Sequence, residues 1–165
     1  MYFVFFNLII LFILILGIYL LLQGAIFVPS KDKSIKTILE FAKAKKGQRM
    51  ADLGSGDGRI IIAFGRSGIQ ADGYEINPIL VLISRIRIKK LGLEKFAKVY
   101  WRSYWGADLS IYNVVTVFGI DYIMKRLEKK LFGGMNPGNK IIVNLFPFPN
   151  KKYKIKKRGV YLYEV

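Results

Sequence analysis

The chain has 165 residues, enough for one domain and a short additional segment. It contains no cysteine and no histidine, which excludes disulfides, thiol nucleophiles, imidazole bases and the usual zinc sites; no acidic cluster predicts another metal site. Its 27 Lys and Arg against 11 Asp and Glu give a net charge of +16, which favours an anionic partner such as nucleic acid or an acidic membrane surface.

The first 28 residues carry no charge, and residues 2–22 are almost all Phe, Ile, Leu and Val. A membrane-spanning helix needs about 20 such residues. The segment has neither the basic start of a signal peptide nor the polar stripe of a buried helix. We therefore predict a transmembrane anchor over residues 1–26 and one domain over residues 27–165.

Every Lys and Arg lies after residue 30. By the positive-inside rule, this predicts a single-pass membrane protein with its domain in the cytoplasm. The lysines would also hold the domain against anionic headgroups. Because a membrane surface accounts for much of the charge, nucleic acid is not needed as a partner.

The next segments are a helix that begins at Ser30 or Ser34 and runs to about Lys45, a strand over Arg49–Leu53 and a helix over Arg59–Arg66. Between this strand and helix lies Asp52-Leu53-Gly54-Ser55-Gly56-Asp57-Gly58. Gly54 and Gly56 suit positive φ and a close approach of the backbone to a ligand. Gly58 would let the helix lie close to its strand. A strand, a glycine loop and a helix are typical of nucleotide-like ligand sites in open α/β sheets.

The spacing GxGxG differs from the GxGxxG of a dinucleotide site. An acid two residues before the first glycine would repel a phosphate and suits a ligand with an ammonium group. S-adenosylmethionine (SAM) has that ammonium and no phosphate. A second strand, Gln70–Glu75, ends in Glu75, 23 positions after Asp52, where a carboxylate can accept both ribose hydroxyls. These features together predict SAM as the cofactor.

The remaining elements continue the alternation of helices and strands. The predicted helices are Ile79–Leu91 and Tyr122–Phe132, the second capped by Asp121, and the predicted strands are Lys98–Trp101, Asn113–Phe118, Lys140–Phe146 and Val160–Val165. A lysine-rich turn precedes the last strand. The pattern predicts an α/β fold with a parallel, doubly wound sheet.

From residue 27 onward the chain resembles small class I SAM-dependent methyltransferases. That family includes the lysine methyltransferases of the ATP synthase c-subunit and of the adenine nucleotide translocase, and small archaeal protein-lysine methyltransferases. The matching pieces are Val28-Pro29-Ser30, Asp52–Ile60, Gly73–Pro78, Ser84-Arg85, Asn113–Val115, Phe118-Gly119, Leu127–Leu131 and Phe146–Pro149. The resemblance implies a Rossmann-like class I sheet with helices on both faces.

With the motifs, the resemblance implies a set of cofactor-binding residues: Pro29, Ser30, Asp52, Gly54, Ser55, Gly56, Asp57, Gly58, Glu75, Asn77, Ser103 and Tyr104. One position departs from the family. Where the family tends to place an acid after the third strand, this chain has Ser103, which can hydrogen-bond adenine without charge assistance.

The resemblance implies methyl transfer to a lysine side chain of a protein, most simply a membrane-embedded one. No catalytic residue is identified, and the candidate pocket walls are Tyr104, Trp105, Phe118, Phe146 and Phe148, each of which could equally be ordinary core. Alternatives are a methyltransferase of a lipid, quinone or other small acceptor, and a catalytically silent SAM-binding module. An RNA substrate is disfavoured, because no Asn/Asp-Pro-Pro-aromatic motif follows the fourth strand.

Overall fold

The structure is a computed structural model that describes residues 2–23 and 32–165, with side chains described for residues 4–14 and 32–165. The first element, α1, is a helix over Tyr2–Gln23 whose apolar side chains between Val4 and Leu14 are exposed. The predicted boundary between residues 26 and 27 lies outside the described residues.

The prediction of a membrane-spanning anchor is wrong. Over residues 2–23 and 32–165, no helix combines the length and the hydropathy that a bilayer crossing requires. The predicted single-pass topology, with a cytoplasmic domain, is corrected with it.

The domain is built on a sheet of seven strands. Their bounds are β1 Arg49–Leu53, β2 Gln70–Glu75, β3 Ala97–Trp101, β4 Val114–Phe118, β5 Lys140–Asn144, β6 Ile155–Lys157 and β7 Val160–Glu164. The order across the sheet is β3-β2-β1-β4-β5-β7-β6. Strands β1 to β5 are parallel, while β7 is antiparallel to both β5 and β6.

Helices cover both faces of the sheet, as predicted. They are α2 Asp32–Ala42, α3 Arg59–Arg66, α4 Pro78–Lys90 and α5 Asp121–Gly134. One face packs its apolar side chains against α2, α3 and α4, and the other face packs against α5 and the segment after β3. The fold is therefore the Rossmann-like α/β fold that the sequence predicts.

Several boundaries differ from the predicted ones. β5 ends at Asn144 and not at Phe146, because Leu145 takes a φ of 85° that no strand continues through. Helix α2 begins at Asp32, so Ser34 lies inside it, and Ser30 is outside the described residues. Helix α5 has Ile120 as its N-cap without a side-chain hydrogen bond, so Asp121 lies in the first turn and is not the cap.

The two strands that flank β1 determine which edge of the sheet is the functional edge. β2 lies on one side of β1 and β4 lies on the other, so the direction in which strands are added to the sheet reverses at β1. Open α/β sheets bind ligands at such a switch point, outside the carboxyl ends of the strands. Asp52, Glu75 and Phe118 all lie at these ends.

Candidate active site

The glycine loop between β1 and α3 has the backbone that its sequence requires. Gly54, Gly56 and Gly58 have φ values of 80°, 55° and 79°. A side chain at these φ values would be strained, so glycine is needed for the turn. At Gly54 a Cβ would have no heavy atom within 4 Å, so the loop faces open space there.

The loop uses most of its backbone N–H groups on acceptors of the protein. The N–H groups of Gly54 and Ser55 both donate to the carbonyl oxygen of Tyr74, at 2.9 and 3.0 Å. The N–H of Gly58 donates to the carbonyl of Ser55, and the N–H of Gly56 donates to Oε2 of Glu75 at 2.9 Å. A pyrophosphate site would instead present such groups to its ligand. The loop is therefore unsuited to cradling a phosphate.

Asp52 is a buried carboxylate, 3% exposed, near the end of β1. Its Oδ1 accepts a hydrogen bond of 2.7 Å from Oγ1 of Thr116. Burial raises the pKa of Asp52 to about 7; the charges of Glu75 and Asp57 add to the increase, and the Thr116 hydroxyl opposes it. Asp52 can therefore change its protonation state near neutral pH.

Glu75 connects the end of β2 to the glycine loop. Besides the N–H of Gly56, its carboxylate accepts hydrogen bonds from the N–H groups of Ile76 and Asn77, at 2.9 and 2.8 Å through Oε1. The side chain is thereby fixed at the carboxyl edge of the sheet. Each carboxylate oxygen has further lone pairs, so a ligand hydroxyl can still be accepted.

Asp57 fastens the loop to two helices. Its carboxylate accepts two hydrogen bonds from Arg59 of α3, at 2.9 and 2.8 Å, and one of 2.6 Å from Arg87 of α4. Arg87 also donates to the backbone oxygen of Asp57. Burial opposes ionisation of Asp57, but the two guanidinium groups outweigh it and hold its pKa below the ordinary value. Asp57 therefore orders the loop through these arginines.

Gly58 lies against α4. The sequence predicts a different role for this glycine, a close approach of the following helix α3 to its strand. A Cβ at Gly58 would overlap the Ser84 hydroxyl and lie 3.1 Å from the Ser84 Cβ. The side chain of Ser55 turns inward, since a Cβ on Gly73 would lie 2.6 Å from its Oγ. The hydroxyl oxygens of Ser55 and Ser84 are both buried without a hydrogen-bond partner among the described residues.

The segment after β3 carries the aromatic candidates. Ser103 is exposed and accepts a hydrogen bond from the N–H of Trp105, and so caps the 3-10 helix Tyr104–Gly106. The rings of Tyr104 and Trp105 are in contact, with centroids 5.0 Å apart, and Arg126 of α5 stacks over Trp105 at 4.1 Å. Burial raises the pKa of Tyr104, which keeps its hydroxyl protonated.

The three phenylalanine candidates lie in different surroundings. Phe118 and Phe146 are half-buried, and Phe118 ends β4 next to the functional edge. Phe148 is 4% exposed and packs against Phe132 and Tyr163, with centroids 5.9 and 4.8 Å away. Phe148 therefore lies in the core.

Other predicted residues are placed as follows. Pro29 and Ser30 lie outside the described residues. Asn77 is the N-cap of α4 and accepts from the N–H groups of Ile79 and Leu80. Over residues 2–23 and 32–165, no three His, Cys, Asp or Glu side chains come together as a metal site.

Sequence reasoning missed three residues near the site. Thr116 bonds to Asp52, Arg87 bonds to Asp57, and Ile76 is 41% exposed beside Glu75. A polar residue in the otherwise apolar run of β4 was a signal for Thr116. Arg87 had no signal, because its loop partner is 30 positions away.

Comparison with known proteins agrees with this geometry. The model of the ANTKMT methyltransferase domain matches residues 52–155. The lysine N-methyltransferase of the ATP synthase c-subunit from Homo sapiens is 40% identical over 124 residues, which is 75% of this chain and 53% of that protein. The chain thus spans about half the length of this relative. A protein-lysine N-methyltransferase of Saccharolobus islandicus is 30% identical over 84% of this chain and 92% of its own length.

A solved structure is also similar. An RNA methyltransferase from Salinibacter ruber, in complex with S-adenosyl-L-homocysteine, superposes with a TM-score of 0.78 at 29% identity, covering 83% of this chain and 93% of that one. These matches confirm the predicted family. The glycine loop, its two acids and these matches lead to one assignment: the chain belongs to the family of the ANTKMT methyltransferase domain.

Proposed function

We propose that the protein is a SAM-dependent protein-lysine N-methyltransferase. The observation that carries the proposal is the glycine loop with a buried acid on each side, Asp52 at the end of β1 and Glu75 at the end of β2. The similarity of the chain to lysine methyltransferases supports lysine as the methyl acceptor.

The residues present fit the cofactor. Glu75 suits the ribose hydroxyls, and Asp52 suits the ammonium group of the methionine part. Gly54 leaves room for the ligand to touch the backbone, since a Cβ there would meet no atom within 4 Å. The exposed side chain of Ile76 beside Glu75 suits packing against the adenine. The bound cofactor supplies an electrophilic methyl group on a sulfonium.

The chain must align a neutral amine with that methyl group. A free lysine has a pKa of about 10.4, so the amine must lose a proton, and the chain offers no histidine base. Partial burial beside aromatic rings lowers an amine pKa by desolvation. Tyr104, Trp105 and Phe118 are the candidate walls for such a pocket.

The acceptor is a narrower proposal. The similar proteins include lysine N-methyltransferases of the ATP synthase c-subunit and of adenine nucleotide translocase. We therefore propose that the acceptor is a lysine of a protein, in particular of a membrane-embedded protein. RNA is the second candidate, because the similar solved structure is that of an RNA methyltransferase and this chain carries a charge of +16.

Methyl transfer from radiolabelled SAM into an extract of the host, separated into protein, RNA and lipid, tests the proposal. We expect label in a protein that hydrolyses to methyl-lysine and that Asp52→Ala abolishes. Asp108→Ala is the matched control, because Asp108 is an exposed acid whose hydrogen bonds within residues 2–23 and 32–165 are all with Ser110 of its own turn. Label confined to RNA or lipid would refute the lysine acceptor, and an absence of transfer would refute the activity.

A further inference from the structure

Thr116 is the one polar residue of β4, whose sequence is Val-Val-Thr-Val-Phe. It is fully buried and pairs with Asp52 in the parallel ladder between β1 and β4, so both side chains lie on the same face of the sheet. Its Oγ1 lies 2.7 Å from Oδ1 of Asp52 and 3.3 Å from the carbonyl oxygen of Ala51. A hydroxyl has one proton, and the shorter contact to a carboxylate takes it.

This hydrogen bond makes the two oxygens of the Asp52 carboxylate inequivalent. Oδ1 is occupied by Thr116, and among the described residues none donates to Oδ2. On the other side of Asp52 in the sheet, its ladder partner is Gly73, which offers no side chain. The charged groups around Asp52 are Glu75 on β2 and Asp57 in the loop, and Asp57 is neutralised by Arg59 and Arg87.

We propose that Thr116 is a positioning residue for cofactor binding. Its hydroxyl fixes the carboxylate of Asp52 through Oδ1 and leaves Oδ2 to accept a hydrogen bond from the ammonium group of the cofactor. The inference rests on the proposed function and concerns a residue that touches the cofactor only through Asp52. It explains why a buried strand between apolar neighbours keeps a hydroxyl.

The hydroxyl also acts on the charge of Asp52, because a hydrogen bond to the carboxylate favours its ionised form. Without it, Asp52 would be protonated to a higher pH. A protonated Asp52 carries no charge to attract an ammonium. Loss of the Thr116 hydroxyl should therefore move the acid limb of cofactor binding to higher pH.

Calorimetric titration of the full chain with S-adenosyl-L-homocysteine between pH 6 and 8.5 tests this inference. We expect Thr116→Val, which replaces the hydroxyl by a methyl group, to weaken binding about tenfold at pH 7.5, in the range for a lost hydrogen bond to a charged group. Thr116→Ser keeps the donor and should bind within about twofold of wild type. Thr37→Val is the matched control, because Thr37 is a fully buried threonine in α2 that bonds to the Lys33 carbonyl.

A second ligand separates positioning from a general loss of structure. 5′-Methylthioadenosine has the adenosine part but no ammonium, so Thr116→Val should leave its affinity unchanged. Equal losses for both ligands, or an unchanged pH limb for S-adenosyl-L-homocysteine, would overturn the inference. If the wild-type protein binds neither ligand, both the proposed function and this inference are refuted. If Thr116→Val binds S-adenosyl-L-homocysteine with wild-type affinity, only this inference is refuted.

Discussion

The carboxyl group of Asp52 should make the stability of the ligand-free protein fall as the pH rises. Its pKa is about 7 in the folded protein and about 3.9 in an unfolded chain, so between these values the folded state binds the extra proton. Stability is therefore highest at the acid end of this window and lost toward pH 7, by up to about 4 kcal/mol for three pKa units. Asp52→Asn should remove this dependence.

Urea unfolding of wild type and Asp52→Asn at several pH values between 4.5 and 7.5 measures the effect. The difference between the two proteins isolates Asp52 from the other acids, including Asp57, whose lowered pKa acts in the opposite sense at lower pH. A difference that stays constant with pH would show that Asp52 is ionised throughout.

Asp121 should influence the acceptor and not the cofactor. It is exposed in the first turn of α5, just beyond the carboxyl end of β4, and forms no hydrogen bond or ion pair with any residue in the described part of the chain. In a protein of charge +16, an acid at this edge would attract a lysine ammonium. Asp121→Asn should raise the KM for a lysine acceptor by about two- to fivefold, the size of an exposed charge interaction.

Steady-state kinetics at low and high salt check the role of Asp121. The variant and wild type should converge at high salt, because salt screens exposed charges. An unchanged KM at low salt, or an equal change in the affinity for S-adenosyl-L-homocysteine, would contradict it.

At the scale of elements, the contact between the start of α3 and α4 depends on Gly58. Alanine at Gly58 would meet the Ser84 hydroxyl and would also be held at a φ of 79°. Alanine at Gly54, where φ is 80° and space is open, would have only the cost of the unfavourable φ. That penalty is about 1–2 kcal/mol, and overpacking adds about 1–3 kcal/mol. Gly58→Ala should thus lower the free energy of unfolding more than Gly54→Ala.

Thermal and urea unfolding of the two variants compare these costs. Adding Ser84→Ala to Gly58→Ala should recover part of the overpacking cost and none of the backbone cost, and a double-mutant cycle isolates that part. Equal losses for Gly54→Ala and Gly58→Ala would mean that α4 moves aside freely.

The elements differ in how well their sequences predict them. β1, β2 and α3 have the predicted bounds, because an apolar run, a glycine loop and a terminal acid fix their ends locally. The short edge strand β6 was missed, since all three of its residues, Ile155–Lys157, are exposed and two are lysines. It is a strand only because β7 pairs with it, and no local pattern contains that information.

The same division applies to the candidate site. Asp52, Glu75 and the three glycines could be proposed from the sequence, because each lies near the end of a strand or in the loop that follows it. The contacts of Asp52 with Thr116 and of Asp57 with Arg87 join residues 64 and 30 positions apart, so they depend on the order of the strands and on helix packing. The aromatic candidates had no spacing to distinguish pocket from core, and the structure puts Phe148 in the core.

At the scale of the whole molecule, the position of β7 affects how the protein is made. β7 follows every other strand in the chain, yet it lies between β5 and β6. During synthesis, one edge of β5 therefore stays unpaired until residues 160–164 leave the ribosome. Until then β6 also lacks its partner strand. Unpaired edges invite aggregation. A nascent chain stalled before Val160 should therefore remain protease-sensitive, and emergence of residues 160–164 should let β5 and β6 pair with β7.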